Sequence, residues 1–223
     1  MSRRPEQLHA RADGTVQLWF HGEEATPLDG VYFMRGGICW PGETTKAAFE
    51  ENMAGFALVA GVRADGADVA KQTVEIFAEH VFSTVDNVVE NGRLASHGLA
   101  PWMSRAMGDW GCKLWYAGRG DARPDSFLRD IRRGGLDVAK AARFFAVDET
   151  LEACIGMLVD AMNERRLRYD GGGEVHNAMR DYKASEGNVV GPALAAAARL
   201  CAGIRKRPPR IRGDGWLENF RPD

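Results

Sequence analysis

Lys113-Leu114-Trp115-Tyr116-Ala117-Gly118-Arg119-Gly120-Asp121-Ala122 is the stretch on which the fold turns. Leu114 to Ala117 is apolar without alternation, the pattern of a strand covered on both faces. Gly118 and Gly120 end the run, and Asp121 follows its carboxyl end. In open α/β sheets, ligands collect in the crevice outside the carboxyl ends of the strands. Asp121 therefore stands where a metal-binding carboxylate would be useful. A Gly-Asp pair is also a common turn, and these residues alone leave both readings open. Arg123-Pro124-Asp125-Ser126 then starts a helix, with proline suited to the first turn. Phe127 and Ile131 fall on one face of it, and Gly134-Gly135 ends it.

Upstream, the spacing predicts strands at Thr15–Phe20 and Val31–Met34, the second bounded by Asp29-Gly30 and Gly36-Gly37. Phe56 to Val62 is a second continuous apolar run, read as a strand buried on both faces. A short helix is expected within residues 41–54, and Ala64-Asp65-Gly66 forms a turn. Thr73 to Phe82 is rich in β-branched and aromatic residues and reads as a strand. A helical stretch follows Pro101. Downstream, Leu151, Ile155, Leu158, Val159 and Met162 recur at helical spacing. They predict a helix over Glu149–Arg168, N-capped by Asp148. Gly171-Gly172-Gly173 breaks the chain before a short helix at Val175–Lys183 and an alanine-rich one at Pro192–Ile204. Strands at hairpin spacing followed by strand–helix alternation indicate an α/β domain, a mixed central sheet flanked by helices.

The chain has 223 residues, with 45% hydrophobic, 27% charged and a formal net charge of -2. That suits one globular domain and excludes a protein basic throughout, so any nucleic-acid site must be a local patch. The expected division is a polar arm over 1–14, one domain over 15–204 and a basic tail over 205–223. Cys39, Cys112, Cys154 and Cys201 form no CxxC pair and are expected to be free and buried. The apolar runs are too short to span a bilayer, and no apolar core follows the basic N-terminus. No membrane partner is expected, and the expected location is cytoplasmic, the host cytoplasm if viral. His9, His21, His80, His97 and His176 lack zinc spacing. Gly36-Gly37 and Gly171-Gly172-Gly173 are turn or hinge glycines whose N–H groups could also hold an anion.

The tail Arg205-Lys206-Arg207-Pro208-Pro209-Arg210-Ile211-Arg212 is basic, and its prolines keep it extended. Arg205, Lys206, Arg207, Arg210 and Arg212 are candidate phosphate contacts, a solvated linker being the plainer reading. Trp216, Leu217 and Phe220 then form a small apolar hook suited to docking on the body or on another subunit.

From Val31 to Ile204 the chain resembles the nuclease domain of phage large terminases. The resemblance rests on the order of elements and on Arg119-Gly120-Asp121-Ala122-Arg123-Pro124-Asp125-Ser126, which is similar to that family's Gly-Asp-Pro/Ala element and the serine-containing helix start after it. It implies a ribonuclease-H-like fold, a role in phage or prophage DNA packaging, double-stranded DNA and other packaging proteins as partners, and Mg²⁺ or Mn²⁺ as cofactor with Asp121 as a ligand. The chain departs from the family at two places. The acid of the first strand is matched by Arg35 in Met34-Arg35-Gly36-Gly37, and the acid opening the last helix by Gly191-Pro192-Ala193-Leu194. Two-metal hydrolysis needs several converging carboxylates. The expectation is therefore weak or absent DNA cleavage, with Arg35 in the old metal site and pairing with Asp121. Asp29, Asp86 or Asp181 would be the substitutes if a site exists. The alternatives are a non-catalytic assembly protein on the same fold and an unrelated α/β binding module.

Overall fold

The computed structural model describes residues 7–10, 16–21, 27–40, 54–63, 72–83, 89–90, 93–94, 98–118, 142–169, 171–182 and 190–206. The helices expected within 41–54 and after Arg123, the turn at 64–66, Asp121 and most of the tail lie outside them.

The core is an eight-stranded mixed sheet. Strands β1 (Gln7–Ala10), β2 (Val16–His21), β3 (Pro27–Cys39), β4 (Ala54–Arg63) and β5 (Thr73–Ser83) form an antiparallel meander. A short ribbon, β6 (Val89–Glu90) with β7 (Arg93–Leu94), precedes helix α1 (Leu99–Trp110). Strand β8 (Leu114–Gly118) then lies parallel to β3, and β9 (Arg143–Val147) parallel to β8. Helix α2 (Leu151–Asn163) leads to β10 (Leu167–Arg168), parallel to β5. Helices α3 (Glu174–Asp181) and α4 (Pro192–Lys206) complete the described chain.

The apolar runs do what their lack of alternation implies. In β4, Phe56, Leu58, Ala60 and Val62 face α2 and α4, while Ala57 and Val59 face α1. In β8, Tyr116 packs towards α4, while Trp115 and Ala117 pack towards α1. The protein is thus a mixed sheet with helices on both faces. All four cysteines are buried and free. Burial pushes the Cys112 and Cys201 thiols up to about 12, so neither is a nucleophile.

Several expectations are corrected. The continuous apolar run Leu114–Ala117 predicts an interior strand flanked by the strands holding Val31–Met34 and Phe56–Val62; β8 is interior, but its neighbours are β3 and β9. β9 has no counterpart among the expected elements, because its five residues are too few to show a period of their own. The arm expected over 1–14 contains an edge strand, β1, joined to β2 across a segment bearing the hairpin signal Asp13-Gly14. The helix expected to reach Arg168 ends at Asn163, because Arg165 turns to φ 55 and β10 begins two residues later. Its N-cap is Thr150, whose hydroxyl accepts from the Ala153 N–H at 3.2 Å, not Asp148. Val159 is exposed, and Cys154 and Ala161 take the buried face instead.

Gly36-Gly37 is not a turn. Both residues lie inside β3 at its crossing with β8, where Gly36 pairs with Trp115 and Gly37 with Tyr116. A Cβ at Gly36 would overlap the Trp115 ring, and one at Gly37 would overlap the Ala196 carbonyl oxygen of α4. The glycines let a tryptophan and a helix backbone close on opposite faces of one strand.

Strand β5 carries a bulge: Val59 pairs with Ala78 but Ala60 with Ile76, leaving Phe77 unmatched. Phe77 stacks on Trp110 of α1, with ring centroids 5.1 Å apart. The extra residue reverses the alternation beyond it and turns Glu79 to the opposite face. There its carboxylate accepts the N–H of Glu174 at 2.7 Å and that of Val175 at 3.4 Å. The anion at the Gly171-Gly172-Gly173 helix start is thus the protein's own. Glu79→Ala is expected to destabilise the fold by about 1 kcal/mol, the usual cost of removing an N-cap near a helix dipole. Urea unfolding of the two proteins measures it; an unchanged midpoint would remove Glu79 as the cap.

Candidate functional site

The parallel strands β3, β8 and β9 present their carboxyl ends along one edge of the sheet. Gly118 ends β8 and pairs with Val147, which ends β9. Asp121 follows three residues after Gly118 and lies outside the described residues. Asp148 and Glu149 follow Val147 directly. Helix α4 crosses the face above these ends. Ala196 lies over Gly37, Gly203 lies over Tyr116, and Lys206 reaches the residues beyond β9. The run of alanines from Ala195 to Ala198 permits that close crossing, being buried without bulk.

This placement brings cations to the carboxyl edge. Arg199 is 9% exposed, and a Cβ built on Gly118 would stand 2.6 Å from its Nη2. Lys206 Nζ lies 2.6 Å from Glu149 Oε1 and 3.8 Å from Asp148 Oδ2. The hydrogen bond from Lys206 holds the Glu149 carboxyl below its usual range. Behind the edge, the Cys154 thiol is pushed up, first by burial and then by the Glu149 charge, against the pull of Arg199 and Lys206. Two acids that follow β9 and two bases of α4 therefore meet around one corner, with their charges in balance.

Arg35 is not part of this edge. The parallel register sets Gly36 beside Trp115, so Arg35 lies level with Leu114 at the amino end of β8. Gly118 is four residues further along, about 13 Å at the rise of a strand. Arg35 instead folds back on its own strand: Nη1 donates to the Met34 carbonyl at 2.8 Å, and the guanidinium lies 5.6 Å from the Phe33 ring centre. The expected partner of Arg35, Asp121, lies outside the described residues. The guanidinium at the edge is Arg199, whose place sequence spacing cannot show, because it depends on where α4 crosses the sheet.

The remaining candidates fall elsewhere. Asp29 pairs with Trp19 in the β2–β3 ladder, and Asp181 closes α3 against Arg180 at 2.9 Å. Asp86 lies outside the described residues. His80 stacks on Trp102 and His176 lies against Tyr169. Arg205 and Lys206 form the last turn of α4, and Arg205 Nη1 lies 3.8 Å from Asp160 Oδ2. Arg207, Arg210 and Arg212 lie outside the described residues.

Among the described residues, no three His, Cys, Asp or Glu side chains converge. The two carboxylates at the edge are engaged by Lys206, and a fixed guanidinium stands at Gly118. Among the described residues this edge offers two carboxylates, both beside Lys206, whereas a pair of Mg²⁺ or Mn²⁺ ions needs several. The fold and edge define a mixed α/β protein with a charge-balanced corner at the carboxyl ends of its parallel strands. The chain matches no family model, no curated protein and no solved structure. No helix among the described residues is long and apolar enough to cross a membrane.

Proposed function

We propose that the chain is a ribonuclease-H-like domain of a phage or prophage DNA-packaging system that binds DNA or packaging partners without cutting DNA. The strand order is the observation that carries this reading. A three-stranded antiparallel meander, β3 to β5, leads through α1 to β8 and β9, which extend the sheet in parallel beside β3. In the resulting order β5-β4-β3-β8-β9, Asp121 follows the fourth of the five strands in the chain, where the terminase resemblance expects an acid. Arg199 and the Lys206 pairs at the same edge favour the non-catalytic form, since each neutralises charge that metal ions would need. A Mg²⁺- or Mn²⁺-dependent nuclease on the same fold is the alternative. It would require Asp121 to be joined by Asp148 or Glu149, and both would first have to leave Lys206.

DNA contact is assigned to the tail. Arg205 and Lys206 are already drawn to acids of the body, so the phosphate contacts that remain are Arg207, Arg210 and Arg212. Replacing these three by alanine in the full chain is expected to weaken duplex binding. The slope of log K against log salt should fall by about 0.9 for each phosphate that is no longer neutralised. Binding measured from low to moderate salt reads this directly. An unchanged slope would take the tail, and the DNA-binding role assigned to it, out of the account.

A further inference from the structure

We infer that a groove beside the end of α4 is the seat of the chain's own C-terminal segment, with Trp216 as the anchoring side chain. The groove is a cavity of about 420 Å³ between α2, α4 and the start of β5. Val74, Met157, Ala161 and Ile204 give it an apolar floor, and Asp160 and Glu164 stand on its rim. That apolar floor suits an aromatic side chain.

The occupant follows from where the chain goes. Ile204 and Arg205 line the groove, and the described chain ends one residue later at Lys206, so residues 207–223 follow directly from the groove's own lining. Those residues bring Arg207, Arg210 and Arg212, then Gly213-Asp214-Gly215, then Trp216-Leu217 and Phe220. The rim acids are already met by the body's own cations, Asp160 by Arg205 at 3.8 Å and Glu164 by Arg166, so the seat is defined by its apolar floor. Length allows it as well: ten residues separate Lys206 from Trp216, a reach of about 33–36 Å when extended. The Gly-Asp-Gly sequence supplies the reversal that returns the hook to the body. Docking also removes from water a tryptophan and a phenylalanine that would otherwise be exposed together.

Hydrogen–deuterium exchange of the full chain tests this. The body's groove is read over residues 157–166 and 201–206, and the tail over 213–220. Two variants break the docking from opposite sides: Trp216→Ser with Phe220→Ser removes the hook, and Met157→Arg blocks the floor with a like charge. A tethered segment acts at roughly millimolar effective concentration, so its release should raise exchange in the groove by about ten-fold or more. The first variant is expected to expose the groove and the second to expose the tail. Exchange in β3 and β4 should stay as in the wild type, which separates undocking from unfolding. No rise in either variant would overturn the inference. Protection that falls away on dilution would overturn it too, because the occupant would then be the tail of a second copy.

Discussion

Replacing Trp115 by alanine is expected to cost the fold about 3–5 kcal/mol and to lower its melting temperature by roughly 6–20 °C. Trp115 is fully buried at the centre of β8. Its ring covers Gly36 on the neighbouring strand and lies edge-on to Trp102, with centroids 5.8 Å apart. Gly36, directly beneath it, has no side chain to fill the space it leaves. The loss is specific to this register, and a double-mutant cycle reads that specificity. Gly36→Ala alone drives a methyl into the indole and should destabilise. In the Trp115→Ala background the same methyl fills part of the void and should cost less. A coupling of about 0.5–3 kcal/mol is expected, the range for residues in direct contact. Additive effects would mean that Gly36 and Trp115 are not neighbours and that β8 is misplaced against β3.

Gly37→Val is the second large effect, and it acts on the opposite face. A Cβ there meets the Ala196 carbonyl oxygen, and Leu200 Cβ lies 3.0 Å from it. A backbone oxygen in a buried helix cannot rotate away, so α4 must lift from the sheet. The expected cost is about 3 kcal/mol or more, the upper range for overpacking a dense core. The sheet-facing residues of α4 and β3 should lose exchange protection together, with α1 on the other face less affected. A variant as stable as the wild type would show that α4 does not cross β3 at Gly37.

The layers of this fold are legible in the sequence because they depend on local pattern. Phe56–Val62 and Leu114–Ala117 lack alternation, and that alone places both strands inside a sheet covered on two sides. The Ala195–Ala198 run announces a helix that lies close to its neighbours. Register is another matter. Nothing in Met34-Arg35-Gly36-Gly37 says whether Arg35 stands level with the start of β8 or with its end. The register sets Arg35 level with Leu114, at the amino end of β8. Gly36-Gly37 carries the same signal as a turn, since glycine is required wherever a side chain would collide, inside a strand as well as at its end. β9 is hidden because Arg143-Phe144-Phe145-Ala146-Val147 follows alanines and is shorter than two helical turns. The corner itself is legible only in part. The carboxyl-end rule points to Asp121, whereas Asp148, Glu149, Arg199 and Lys206 come together through the crossing of α4, a tertiary fact with no sequence period. The cap by Glu79 belongs to the same class, because a single unmatched Phe77 decides which face Glu79 occupies.

We propose that this fold binds DNA or packaging partners without cutting DNA. Cleavage of supercoiled plasmid with Mn²⁺ present, comparing the wild type with Asp121→Asn, tests it most directly. The account predicts that neither protein nicks or linearises the plasmid, while duplex binding persists in both. Robust cleavage by the wild type, abolished by Asp121→Asn, would contradict it and would mean that other carboxylates complete a metal site with Asp121.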